Sequence, residues 1–388
     1  MSKTVFYASV GPALTLYDLD IDGAALSKHS AITLPANVQY LWPHPSRRYL
    51  YVVSSTGGPG IAGDAHFASA LLVDPTTGAL KLHGEPARLP SRPIHTAVDA
   101  TGEFLLSAFN IPSNITVHRI KGDGTIGPLV QQSEKLDTGI FAHQVRMTPS
   151  NRAAVLVTRG NNAEDGKVED PGAIKTYSFN NGVLKNLASI APGNAADLGL
   201  GFGPRHLDFH PTEPWAFVSI ERQNKLCMYK LDGRTGLARE PSFIKETLAD
   251  PHGKTEQGAG AIHVHPNGRF VYLTNRSFPA SPSGGRKMSA GGENSVAVYA
   301  LDGKSGEPSH IQSIDGHGVQ LRTFSIDPDG RILVAASILP VPRPDGTTVT
   351  AGLTVFRMGP DGKLTFARKY DVDVGNFQQF WTGMITLP

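Results

Sequence analysis

A closed ring of seven four-stranded antiparallel sheets, a β-propeller, is the architecture that this 388-residue sequence predicts. Three observations predict it. Two kinds of hairpin alternate along the whole chain, the turn glycine of one kind returns at a near-regular interval, and the two kinds occur six and seven times. Composition agrees with an all-β fold. The chain is 40% hydrophobic with 17 Phe and 10 Tyr, enough for a core, and its 42 Gly and 29 Pro suit many turns between short strands.

Taken in order, Met1–Val10 reads as a strand and lacks the apolar stretch and small-residue cleavage site of a signal peptide. No apolar run reaches the roughly 20 residues that a membrane span needs, so a soluble, cytoplasmic protein is expected. The first hairpin kind is strand, Pro-x-Gly-Arg-like turn, strand. It occurs at Trp42–Val53, Val98–Ala108, Met147–Val157, Phe209–Val218, Val264–Leu273 and Ile326–Ala336. The second kind alternates apolar and polar residues up to a glycine turn, at Leu14–Gly23, Ala70–Gly78, Ile115–Gly124, Ile174–Gly182, Leu226–Gly236, Val296–Gly306 and Leu353–Gly362. Its glycines step by 55, 46, 58, 54, 70 and 56 residues. Two hairpins make one four-stranded blade. The first blade therefore lacks an inner strand, which Phe380–Leu387 can supply from the C-terminus, so residues 1–388 read as one domain.

With strands named A (innermost) to D, the short A–B and C–D turns fall on one face of the disc. The long connections fall on the other: Ser54–Ser69, Gly160–Gly172, Ser277–Asn294, Leu339–Gly352, Pro192–Pro204 and Asp250–Gly260. Long loops on a rigid scaffold make that second face the candidate for function. Aligning the repeats places Gln39-Tyr40, Ile94-His95, His143-Gln144, Arg205-His206, Gly260-Ala261 and Arg322-Thr323 at the starts of A strands. The ends of B strands carry Ser55, Asn110, Arg159, Glu221 and Arg276. Several cations around a single carboxylate suit an anionic small ligand, because guanidinium binds carboxylate and phosphate bidentately. Glu221 and a histidine could exchange protons.

Other features point away from other chemistry. Net charge is +2, far from a nucleic-acid-binding excess. The single cysteine, Cys227, excludes an intrachain disulfide and reads as a buried, inert thiol. Asp18–Gly23 resembles the opening of a calcium loop, but its twelfth position is His29 and no helices flank it. Gly199–Gly203 precedes a strand rather than a helix, which argues against a dinucleotide site. His263-Val-His265 could offer two metal ligands, yet His265 shares a repeat column with His44 and His210. No metal and no cofactor are expected.

The segments Gly203–Pro211 with Glu221, His265–Arg276, Arg92–Gly102 and Leu321–Gly330 resemble the lactonase family of seven-bladed propellers. That family includes cycloisomerase-type 6-phosphogluconolactonases and carboxy-cis,cis-muconate lactonizing enzymes. The resemblance spans the chain and implies a lactone hydrolase acting on an anionic sugar lactone, with 6-phosphogluconolactone the leading substrate. It places catalysis on His143, Arg205, Glu221 and Arg276, with Glu221 or His143 as general base. His95, Arg159, His206, His263 and Arg322 are expected to bind substrate. Two departures border the expected pocket: Thr158–Asn161, and the insertion Ser277–Asn294. Lactone formation from carboxy-muconate, and a non-catalytic propeller that binds a protein partner, are the alternative readings.

Overall fold

Seven A strands line a central channel in the computed structural model, which describes residues 3–164, 166–193, 198–253, 255–280 and 287–388. Part of the insertion Ser277–Asn294, residues 281–286, lies outside the described residues. In chain order the A strands are Asn37–Pro43, Pro93–Val98, Ala142–Met147, Pro204–Phe209, Gln257–Val264 and Leu321–Ile326. The seventh, Gln379–Thr386, comes from the C-terminus and pairs antiparallel with Thr4–Val10, closing the ring as the unequal hairpin counts require. We number the blades from I, which holds that pair, to VII, which holds Leu321–Ile326.

The burial pattern follows from position in the blade. B strands lie between A and C and are packed on both faces by neighbouring blades. Phe104–Asn110 and Ala153–Thr158 are accordingly buried at every residue. Outer strands such as Val183–Ile190 expose half of their residues. Each apolar core is shared by two adjacent blades. Tyr51 and Val53 of blade II join Leu105 and Phe109 of blade III, and Phe217 of blade V joins Ile262 of blade VI. Across the closure, Phe6 and Ala8 of blade I pack with Val334 and Val355 of blade VII.

The turn face is laced by polar latches. His44 Nε2 donates to Gly102 O at 3.1 Å, His210 Nε2 to Gly268 O at 2.7 Å and His265 Nε2 to Gly330 O at 3.0 Å. Each latch joins one A–B turn to that of the next blade. The Nδ1 atoms accept backbone N–H groups of their own turns, which fixes the tautomer. The repeat histidines are thus structural, and His265 has no ring nitrogen left for a metal. Tyr51 and Tyr272 add a second set of latches, donating to Gly124 O at 2.8 Å and Gly362 O at 2.7 Å.

Gly268 has φ +72°, and a Cβ there would stand 2.5 Å from His210 Nε2. Gly268→Ala should therefore lower the unfolding free energy by about 1–3 kcal/mol in denaturant titration, through backbone strain and loss of the latch. Gly303→Ala, at a glycine with open space around it, should change stability little. Equal effects from the two substitutions would show that the latch carries no stability.

Candidate active site

Each A strand enters the ring at the long-loop face, and there its pairing with strand B slips. The slip is a β-bulge, where two consecutive residues oppose one and both can face the same side. The extra residue is Gln39, Ile94, His143, Arg205 and Arg322 in blades II, III, IV, V and VII. Ile94, His143, Arg205 and Arg322 line a cavity of about 750 Å³ at the mouth of the channel. The residues that follow them lie deeper. The Tyr40 ring sits 3.8 Å from His95, and His206 lies 6.2 Å from His95 and 5.0 Å from His143.

B strands end at the same level and deliver Asn110, Arg159 and Arg276 to the cavity. Glu221, expected at the end of a strand, instead opens one 3-10 turn, Glu221–Gln223. Its N–H donates to Gly203 O at 2.8 Å, which ties this turn to the entry of Pro204–Phe209.

The Glu221 carboxylate is the hub. Arg205 Nε lies 3.1 Å from Oε2, while Arg276 Nη2 and Arg159 Nε lie 3.3 Å and 3.5 Å from Oε1. Glu221 is 11% exposed and Arg205 only 1%. Burial alone would raise the Glu221 carboxyl, but attraction to Arg276, Arg159, Arg205 and Arg322 outweighs it and holds the group below its usual range. Among the described residues lining the cavity Glu221 is the only acid. It faces the guanidiniums of Arg92, Arg159, Arg205, Arg276 and Arg322 and the ammonium of Lys287. Four of these cations rest on three aromatic rings: Arg159 over Phe141 at 5.3 Å, Arg276 over Phe278 at 5.6 Å, and Arg322 and Arg92 over Phe380 at 3.8 Å and 5.9 Å. The cavity thus combines excess positive charge with apolar shelves.

Burial and the surrounding arginines push His143 and His206 well below the ordinary imidazole value. His95 is pushed the same way by burial, then by Arg146 and His263. All three rings are neutral near pH 7. Nδ1 of His143 has no hydrogen-bond partner among the described residues. His206 Nδ1 lies 3.3 Å from Arg205 Nη1 and accepts from it.

Of the nine residues expected at the site, His143, Arg159, Arg205, Glu221, Arg276 and Arg322 reach the cavity. His95 and His206 are buried and do not line it. His263 goes elsewhere. Its Nδ1 lies 3.5 Å from Asp208 Oδ2, and Asp208 also pairs with Arg146 at 3.0 Å. The slip in blade VI falls on Gly260 and Ala261, so His263 sits farther along the strand, in a polar plug of the channel. The repeat columns missed Arg92, Phe141, Phe278 and Lys287. Phe141 and Phe278 stand two residues from His143 and Arg276, just outside the columns, and Arg92 precedes its own strand.

The neutral histidines make a pH prediction. Below about pH 6.5 the unfolded chain protonates His95, His143 and His206 while the folded one does not. The unfolded state then binds more protons, so stability is lost as pH falls, by on the order of 1.4 kcal/mol per pH unit per histidine. Denaturant melts at pH 7 and pH 5 should differ by a few kcal/mol, and His95→Phe should flatten the slope. A level profile would mean that the imidazoles take up protons in place.

The family model described as Lactonase, 7-bladed beta-propeller matches residues 6–338. The chain is 28% identical over 325 residues to a 6-phosphogluconolactonase of Bacillus subtilis, covering 83% of each chain. It is 28% identical over 342 residues to a 6-phosphogluconolactonase of Pectobacterium carotovorum, covering 87% of this chain and 88% of the relative. A solved periplasmic gluconolactonase of Pseudomonas aeruginosa matches with a TM-score of 0.74 at 20% identity, covering 99% of both chains. A solved protein of Lactobacillus plantarum matches with a TM-score of 0.70 at 22% identity, covering 99% of this chain and 100% of that one. At those identities the solved structures speak for the fold. The family model covers most of the chain, and the protein belongs to the lactonase family of seven-bladed β-propellers.

Proposed function

We propose that the protein hydrolyses an anionic sugar lactone, with 6-phosphogluconolactone as the leading substrate. The observation that carries this reading is the Glu221 carboxylate shared by three arginines in a cavity otherwise lined by cations and neutral side chains. The names of the Bacillus and Pectobacterium relatives support the same substrate.

Ring opening needs a water stripped of a proton, a place for the tetrahedral oxyanion and a protonated leaving oxygen. Arg205 and Arg276 supply the charge that the oxyanion meets. His143 is the better placed base, because its ring is neutral and lines the cavity, whereas both oxygens of Glu221 face guanidiniums. Glu221 keeps those guanidiniums aimed. His143 takes the water proton as the C–O bond forms, and returns it to the ring oxygen as the acyl C–O bond breaks. An arriving anion offsets the arginines that depress His143, so substrate binding itself makes the ring a stronger base.

The location is part of the same proposal. A phosphorylated substrate places the protein in the cytoplasm, although one solved relative is described as periplasmic. Among the described residues no helix is long and apolar enough to cross a membrane. Cell fractionation with antibody detection checks the location.

The test is a lactonase assay corrected for spontaneous hydrolysis. His143→Gln and Glu221→Gln should each lower kcat by about 10²-fold or more while the protein stays folded, the usual span for losing acid–base catalysis. Arg205→Ala should impair kcat and KM together. The acid limb of the wild-type kcat/KM profile should disappear in His143→Gln and persist in Glu221→Gln. The reverse pattern would make Glu221 the base, and wild-type rates in both would mean that the reaction centre lies elsewhere.

A further inference from the structure

Two arginines of the cavity make no direct ion pair with Glu221, whose partners are Arg159, Arg205 and Arg276. Arg92 is 6% exposed, and its Nε donates to Gln39 Oε1 at 2.8 Å. Gln39 is itself buried and donates through Nε2 to Asn37 O at 3.2 Å and Gly57 O at 3.4 Å. Arg92 is therefore held through its Nε, and its terminal nitrogens have no protein partner among the described residues. Arg322 has neither an ion pair nor a hydrogen bond among the described residues. Its guanidinium lies 3.8 Å from the centre of the Phe380 ring, and that of Arg92 lies 5.9 Å from the same ring. Both arginines line the cavity, together with Gln320 and Gln378.

A cation removed from water with no counter-charge is unfavourable unless something supplies one. The pair shows that strain. Burial and then repulsion from Arg276 and Arg92, against the attraction of Glu221, push Arg322 down to about 9 although its side chain keeps part of its surface in contact with the cavity, and burial pushes Arg92 down to about 10. A guanidinium stays protonated all the same, so the imbalance is left for a ligand to relieve. The chain supplies no carboxylate here, although it places Glu221 in the same cavity.

We propose that Arg92 and Arg322, set against Phe380, form a second anion subsite that binds a phosphate or carboxylate carried by the substrate away from its reacting carbonyl. The inference rests on the lactonase reading and deepens it. The substrate has two poles: a lactone carbonyl at Arg205, Arg276 and His143, and a fixed anionic group at Arg92 and Arg322. Forked N–H donors match the planar or tetrahedral oxygen array of either anion. The Phe380 ring leaves the arginines no room to turn away and gives no hydrogen bond that the anion would have to displace.

Two measurements separate this inference from the lactonase reading. The first compares kcat/KM for glucono-δ-lactone and its 6-phosphate. The wild type should prefer the phosphorylated lactone, and Arg92→Gln and Arg322→Gln should each shrink that preference at least tenfold. Arg322→Lys should restore part of it. Glu221→Gln should slow both lactones and leave their ratio standing. The second measurement is calorimetric binding of the unreactive acids 6-phosphogluconate, glucarate and gluconate, and needs no turnover. 6-Phosphogluconate should bind at least tenfold more tightly than gluconate, a margin that Arg322→Gln removes. If glucarate gains that margin instead, the subsite reads a carboxylate. Ratios and margins equal to wild type in both arginine variants would overturn the subsite, even with hydrolysis intact. Anion discrimination in a protein that opens neither lactone would retain the subsite and sink the lactonase reading.

Discussion

No blade of this ring can bury its own faces. A four-stranded sheet has two, and here both inner faces are completed by neighbours: Tyr51 meets Phe109, Phe217 meets Ile262, and Phe6 meets Val334 across the closure. Every shared core depends on the one before and the one after, so an open ring would leave two apolar faces in water. The closing pair of strands supplies what is missing. Trp381 and Ile385 pack with Val5 and Tyr7, and Trp381 N donates to Ser9 Oγ at 3.0 Å. Covering both faces also explains the unbroken apolar B strands, which a sheet with one wet face would not need.

That closed frame permits an arrangement that is unfavourable by itself. Five guanidiniums line one cavity with a single carboxylate among them. In water they would drift apart; here each hangs from a strand end that the shared cores fix in place. Phe141, Phe278 and Phe380 support four of them without neutralising their charge. Glu221 offsets part of the repulsion, and its carboxyl is held below the usual carboxylate range because the arginines' attraction outweighs burial. The remaining positive potential is the preorganised part of the site, already oriented before an anion arrives.

The repeat was legible in the sequence because period-two patterning and turn glycines are local signals. Hairpin positions, the C-terminal closing strand and the faces of the long loops all follow from them. The site was legible to the extent that it obeys the same columns. Arg205, Glu221 and Arg276 were found because each occupies a strand end where neighbouring repeats also carry a polar residue. His263 does not reach the cavity because the entry of its strand is occupied by Gly260 and Ala261, the pair that the repeat alignment sets there, and His263 lies farther along, against Asp208. Arg92 was missed for the opposite reason: it precedes its strand, and only the fold brings it to Gln39, in the neighbouring blade.

The two ends of one hairpin carry opposite duties. At the turn end, His44, His210 and His265 repeat the same bond to the next blade, and this uniformity serves the ring. At the bulge end no residue repeats throughout: Gln39, Ile94 and His143 differ in size and polarity from one another and from the arginines of blades V and VII, Arg205 and Arg322. Identity is free to vary there because the bulge residue lies outside the regular pairing. The proposed reaction centre draws on blades IV, V and VI, through His143, Arg205 and Arg276. Arg92 and Arg322 come from blades III and VII, and Phe380 between them belongs to the terminal strand Gln379–Thr386. The strand that closes the ring therefore also backs both of these arginines from behind the cavity wall.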